Sequence, residues 1–164
     1  MAEAGNSAAG GADRFKAALA GGSWTHDIVT LPDSTRTAQE AALAVGCDVA
    51  QIVKSLVFRG TTSGRPVLVI ACGANRVDEA LVGTIIGEPI GKANANFVRE
   101  NTGYAIGGVP PLGHAVAPVT LIDEDLLPFD TIWAAAGTPN AVFQLTPDDL
   151  VAMTGGQVVA VKQR

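Results

Sequence analysis

A chain of 164 residues suits one domain with its own core, and 48% hydrophobic against 16% charged residues describes a compact globular protein and excludes wholesale disorder. The net charge of −5 excludes an extended basic groove, so no DNA partner is expected. Only two cysteines, Cys47 and Cys72, are present; they are too few for a disulfide framework and match no metal-ligand spacing, and they read as small buried hydrophobes in a reducing cytoplasm.

The opening stretch MAEAGNSAAGGAD has no basic segment followed by an apolar one, so no secretory signal is expected, and no apolar run reaches a membrane span. A disordered tail over 1–12 is expected to lead into a helix over 13–20, with one domain over 13–164. Thr37 with Glu40 three residues on predicts a capping box for a helix that Gly46 stops. A short turn over 48–51 then feeds a strand over 52–59, and a loop over 60–65 returns the chain into an antiparallel neighbour over 66–72.

Further along, Asp78 and Asn94 are N-caps of helices over 78–86 and 94–101, stopped by Gly87 and Gly103. Strands are predicted over 104–106, 119–122, 131–135, 141–145 and 157–161, and Thr146-Pro147 is a strong start for one more helix. This order predicts an α+β single domain: a mixed, largely antiparallel sheet or partial barrel flanked by helices. Acids and bases balance between 31 and 110, Asp33 and Arg36 among them, whereas Asp123, Glu124, Asp125, Asp130, Asp148 and Asp149 make the last third acidic. Any polynucleotide contact should therefore be small or shared with a partner.

Residue supply dismisses several chemistries. There is no G-x-S-x-G elbow, and His26 and His114 have no evident Ser or Cys partner. The run from Gly87 to Lys92 is one residue short of a phosphate loop, with Ala93 where Ser or Thr would hold magnesium. His26, Asp27 and His114 offer no metal-ligand cluster, so neither metal nor cofactor is expected.

What remains is Lys54 inside the apolar run Ile52-Val53-Lys54-Ser55-Leu56-Val57-Phe58, with the turns Gly107-Gly108 and Gly137-Thr138-Pro139. Desolvating an ammonium costs several kcal/mol unless a partner compensates, so Lys54 is placed at the mouth of a cavity or snorkels from an edge strand. Glycine turns let main-chain N–H groups approach a developing oxyanion, or they simply connect strands.

The succession Thr37-Ala38 with Glu40-Ala41-Ala42, then Ile52 to Val57, then Gly103-Tyr104 leading into Gly107-Gly108-Val109-Pro110-Pro111-Leu112-Gly113-His114, and finally Ala136-Gly137 ahead of Leu145 and Asp149-Leu150, resembles the YbaK/EbsC family. These are free-standing relatives of the editing domain inserted in bacterial prolyl-tRNA synthetases. The match runs from about Thr35 to Leu150.

The resemblance implies a cytoplasmic trans-editing deacylase that hydrolyses the ester of a mischarged tRNA, of the prolyl-tRNA type. The acceptor end of the tRNA would be its partner, with an aminoacyl-tRNA synthetase as a possible second. It implies Lys54 as the catalytic residue and a substrate border of Ser55, Gly107, Gly108, Val109, Pro110, Pro111, Gly137 and Thr138, with His114 either a polar contact or structural. Some family members carry an acid where this chain has Ala141-Val142-Phe143, which leaves cysteinyl, alanyl, seryl and threonyl esters open. The rival reading is a non-catalytic binding or regulatory module with the same pocket.

Overall fold

The computed structural model describes residues 7–32, 35 and 37–164. Residues 1–6 of the expected tail, and Asp33 and Arg36 of the charge pattern, lie outside the described residues. The first helix, α1 (Ser7–Gly21), starts six residues before the expected Asp13, so 7–12 are helical and not tail. Its glycines at 10 and 11 weigh against a helix locally, and docking on the core overrides them. Gly11, Phe15 and Leu19 form the buried stripe at i, i+4 and i+8.

Five strands form one sheet in the order β4 (Ile90–Lys92), β2 (Val53–Gly60), β3 (Pro66–Cys72), β5 (Val119–Asp123), β8 (Gln157–Val159). β2 is antiparallel to β3 and β4, as the hairpin reading expects, while β3–β5 and β5–β8 are parallel. All seven residues of β3 are buried, since both faces of this central strand are covered. A second, antiparallel sheet orders β1 (Ile28–Thr30), β7 (Ala141–Leu145) and β6 (Ile132–Ala135). The parallel bridge Ile52–Trp133 joins the two sheets, which do not close into a barrel.

Side-chain alternation divides the core into layers. Val53, Leu68, Ile70 and Ile122 of the larger sheet meet Ile132, Phe143 and Leu145 of the smaller one, together with Phe15 of α1 and Leu150 of α5 (Pro147–Thr154). Phe58, Val67, Val69 and Leu121 point the other way, under α3 (Glu79–Ile86). On the far face of the small sheet, Ala41 and Ala42 of α2 (Ala38–Val45) pack with Leu31 and Ile52 beside Trp133 and Val142.

Local signals placed most helix ends. Thr37 and Glu40 form the capping box, Asp78, Asn94 and Thr146 cap through their side chains, and Gly46, Gly87, Gly103 and Gly155 close helices in the left-handed region. The strand expected over 104–106 is absent: after α4 (Ala95–Thr102) the chain turns, and Tyr104 is buried while its hydroxyl donates to the Leu112 carbonyl at 2.8 Å. Its bulk closes a loop instead of joining a sheet. β1 and β4 were not foreseen, because three residues show no alternation to read. The false phosphate loop is the end of α3 followed by β4, with Glu88 accepting from the N–H groups of Thr62 and Ser63.

Candidate functional site

β4 pairs only with the last three residues of β2, from Phe58 to Gly60. The first half of β2 is therefore an open edge. The Gly60 N–H donates to Arg65 at 2.9 Å across the hairpin, and the Thr61 N–H to Pro89 at 2.9 Å on the other side. Ladder alternation then turns the main-chain groups of Ser55 and Val57 toward the open edge.

A cleft of about 440 Å³ opens there. Its near wall is Lys54, Ser55 and Leu56; its floor is Trp133 and Ala135 of β6 with Val142 of β7; α2 contributes Thr37, Ala38 and Ala41; and Ile106, Gly107 and Pro139 form the far rim. The first turn of α2 adds the partial positive potential of a helix N-terminus. Lys54 also borders a neighbouring hollow of about 370 Å³ with Phe58, Asn75, Arg76 and Glu79. A larger hollow of about 490 Å³ between α3 and β4 includes none of the site residues expected from sequence.

Lys54 shares the α3 face of β2 with Leu56 and Phe58, and its ammonium donates to the main-chain carbonyl of Asn75. Asn75 is held in turn, its amide donating to Asp123 and Asp125 at 2.8 Å each. Asp123 is 1% exposed and also accepts from the N–H groups of Cys72 and Asp125, so the buried carboxylate is satisfied. Asp125 further pairs with Lys162 at 3.2 Å; the Asn75 hydrogen bond first, and then Lys162, hold its carboxyl below the usual range. Among the described residues Lys54 is paired with no carboxylate. Next to it the Ser55 hydroxyl is buried and, among the described residues, without a hydrogen-bond partner.

The structure sorts the residues expected from sequence. Lys54, Ser55 and Gly107 line the cleft, Gly107 at φ +90° with its main chain exposed. Gly108 lies behind them: its N–H closes a turn on Ala105 at 3.0 Å, and its carbonyl accepts from the Gly137 N–H at 3.0 Å. The two glycine turns thus satisfy one another, and the N–H groups of Gly108 and Gly137 are taken inside the scaffold.

Gly108 is small because the next turn presses on it; a Cβ there would stand 2.7 Å from the Cα of Thr138. Val109, Pro110 and Pro111 are buried away from the cleft, and neither Gly137 nor Thr138 lines it. His114 is also set back, its Nε2–H donating to the Pro110 carbonyl at 2.7 Å and its ring meeting the edge of Tyr104. Burial pushes its pKa down.

Asn75 and Trp133 were not foreseen, and Pro139 entered only as the last residue of the turn Gly137-Thr138-Pro139. A polar residue three positions after an all-apolar strand was the one available signal for Asn75, while Trp133 reads locally as an ordinary strand aromatic. Burial raises both thiols, Cys47 and Cys72, which keeps them protonated. Among the described residues no group of three His, Cys, Asp or Glu could hold a metal ion, and no helix is long and apolar enough to cross a membrane.

The model of the family described as aminoacyl-tRNA editing domain matches residues 32–153. The chain is 34% identical over 125 residues to the uncharacterized protein YwhH of Bacillus subtilis, covering 76% of this chain and 79% of that one. It is 25% identical over 126 residues to a protein of Enterococcus faecalis named "Putative Cys-tRNA(Pro)/Cys-tRNA(Cys) deacylase EbsC", covering 76% of each. A solved structure described as "Crystal structure of a putative trans-editing enzyme for prolyl tRNA synthetase" superposes with a TM-score of 0.89 at 48% identity, covering 94% of this chain and 98% of that one.

Proposed function

The chain belongs to the aminoacyl-tRNA editing domain family, and from that premise we propose that it is a trans-editing deacylase hydrolysing the ester between a wrong amino acid and the terminal ribose of a prolyl-type tRNA. The observation that carries the reading is the cleft at the open edge of β2, lined by Lys54, Ser55 and the exposed main chain of Gly107. The names of the Enterococcus faecalis relative and of the superposed structure support the substrate class.

An aminoacyl ester is already activated, so positioning and carbonyl polarisation suffice without a protein nucleophile. Water adds to the carbonyl carbon and loses a proton to solvent, negative charge grows on the carbonyl oxygen, and Lys54 with the cleft's main-chain donors stabilises it. The carbon–oxygen bond to the ribose then breaks. The ribose oxygen takes up a proton, and the amino acid leaves as its carboxylate.

The alternative role for the Lys54 ammonium is to meet a phosphate of the terminal adenosine, with the acceptor end lying along β2. The main chain of Ser55, turned toward the open edge, can meet a polar group of the substrate. A cytoplasmic setting, with a synthetase handing over the tRNA, accords with the acidic C-terminal third.

A panel of tRNAPro carrying cysteinyl, alanyl, seryl or threonyl esters tests the reading. At least one ester should be released well above its spontaneous rate, and Lys54→Ala should remove that excess. Binding of the panel with no release of any ester would replace the enzyme by a non-catalytic tRNA-binding module.

A further inference from the structure

Among the described residues none of α1 lines the cleft, yet α1 packs against both segments that form its far rim. Gly11 packs main chain to main chain against Gly137: a Cβ on Gly11 would collide with the Gly137 carbonyl, and a Cβ on Gly137 with that of Gly11. Gly137 has φ +103° and donates its N–H to Gly108, which in turn packs on Thr138. Contact thus passes from Gly11 through Gly137 and Gly108 to Gly107 and Pro139 on the rim.

One turn further along α1, Arg14 holds both ends of the loop over 103–113. Its Nε–H donates to the Gly113 carbonyl, its guanidinium lies 5.9 Å from the centroid of the Tyr104 ring, and a Cβ on Gly103 would stand 2.6 Å from its Nε. Gly113, at φ +81°, leaves room for Ala18 of the same helix, 3.0 Å from where a Cβ would sit. Phe15, between these contacts, anchors the helix on Phe143 with ring centroids 4.8 Å apart. These α1 residues precede the span 32–153 that the family model matches.

We infer that α1 is a clamp in which Gly11 and Arg14 are positioning residues: they set the places of Gly107 and Pro139 relative to Lys54 without touching substrate. The kinetic part of this inference rests on the editing reading; the structural part does not.

Two adjacent glycines give a matched test. Gly10→Ala and Gly11→Ala each replace a helical glycine with a better helix former, but a Cβ at Gly10 meets nothing within 4 Å, whereas at Gly11 it meets Gly137. Hydrogen exchange is followed in the segments 104–113 and 136–141, with β3 as internal reference, beside deacylation of an ester that the wild type cleaves.

Gly11→Ala should speed exchange about tenfold in the two segments and not in β3, and should lower kcat about tenfold with KM nearly unchanged, as a misplaced site does. Gly10→Ala should match wild type in both. Arg14→Gln should reproduce the Gly11→Ala pattern over 104–113, which keeps the test alive if Gly11→Ala does not fold.

Exchange that rises equally in β3, or does not rise at all, would overturn the clamp. Localised exchange with unchanged kcat would overturn its positioning role. A wild type inactive on every ester tells against the editing reading instead, and localised against uniform exchange then decides the clamp.

Discussion

The Lys54 ammonium donates to the main-chain carbonyl of Asn75, whose side-chain amide is fixed by Asp123 and Asp125 at 2.8 Å each. The cation is therefore aimed by a neutral dipole. A carboxylate partner would cancel its field; a carbonyl orients it and leaves the charge available to a ligand. The acids Asp123 and Asp125 act at one remove, on the Asn75 side chain.

Lys54→Ala should lower deacylation about 100-fold or more, the range seen when a donor to a developing oxyanion is removed. The half-buried position leaves Asn75 open to water, so unfolding free energy should fall by less than about 1.5 kcal/mol. Rates on a cleaved ester and a urea titration of the same sample check both. Turnover within a few-fold of wild type would remove Lys54 from the chemistry.

Gly108→Val should harm activity far more than Gly155→Ala. A Cβ on Gly108 stands 2.7 Å from Thr138 main-chain atoms, so the valine pries apart the two turns that carry Gly107 and Pro139. A displacement of about 1 Å costs up to about 100-fold in rate. Gly155 closes α5 at φ +63° with open space around it, so its alanine costs about 1–2 kcal/mol of left-handed strain and leaves the rate near wild type. Parallel rate and denaturation measurements separate the two; equal small losses in rate would reduce 107–108 to an ordinary turn.

Stability should fall as pH drops through the histidine range, in part through His114. Its Nε2–H is engaged by Pro110 and its Nδ1 is buried and, among the described residues, unpartnered, so a second proton has nowhere favourable to sit. Burial first, and the charge of Arg14 after it, lower the folded pKa below the ordinary histidine value of 6.5. The unfolded chain then binds the proton first, so stability is lost as pH falls below that value, by at most about 1.4 kcal/mol per pH unit for this one group. Denaturant midpoints of wild type and His114→Gln between neutral and mildly acidic pH should diverge; parallel curves would show that His114 does not contribute.

Binding of tRNA by this chain should depend shallowly on salt. The acidic C-terminal third argues against a long positive surface, so contact should be confined to the acceptor end and an isolated acceptor-stem helix should be cleaved nearly as well as full tRNA. Affinity measured across a salt series tests this, because the slope counts neutralised phosphates; a slope equal to roughly six or more contacts would require a basic face along the duplex.

Helix ends and the central hairpin were legible locally. Capping by Thr37, Asp78, Asn94 and Thr146, stops at glycines in the left-handed region, and the apolar alternation of β2 and β3 each depend on residues within a few positions of one another. Lys54 and the order of the glycine turns carried the family resemblance for the same reason. Tertiary contact decided the rest. That β4 leaves half of β2 open, that Trp133 floors a cleft, and that Gly108 and Gly137 satisfy each other while Gly107 alone of the three faces the cleft all depend on residues between about 30 and 80 positions apart in the chain. Even α1, locally weakened by its glycines, is fixed by packing on Phe143 and Gly137, because burial and close main-chain approach outweigh helix propensity once the core exists to receive them.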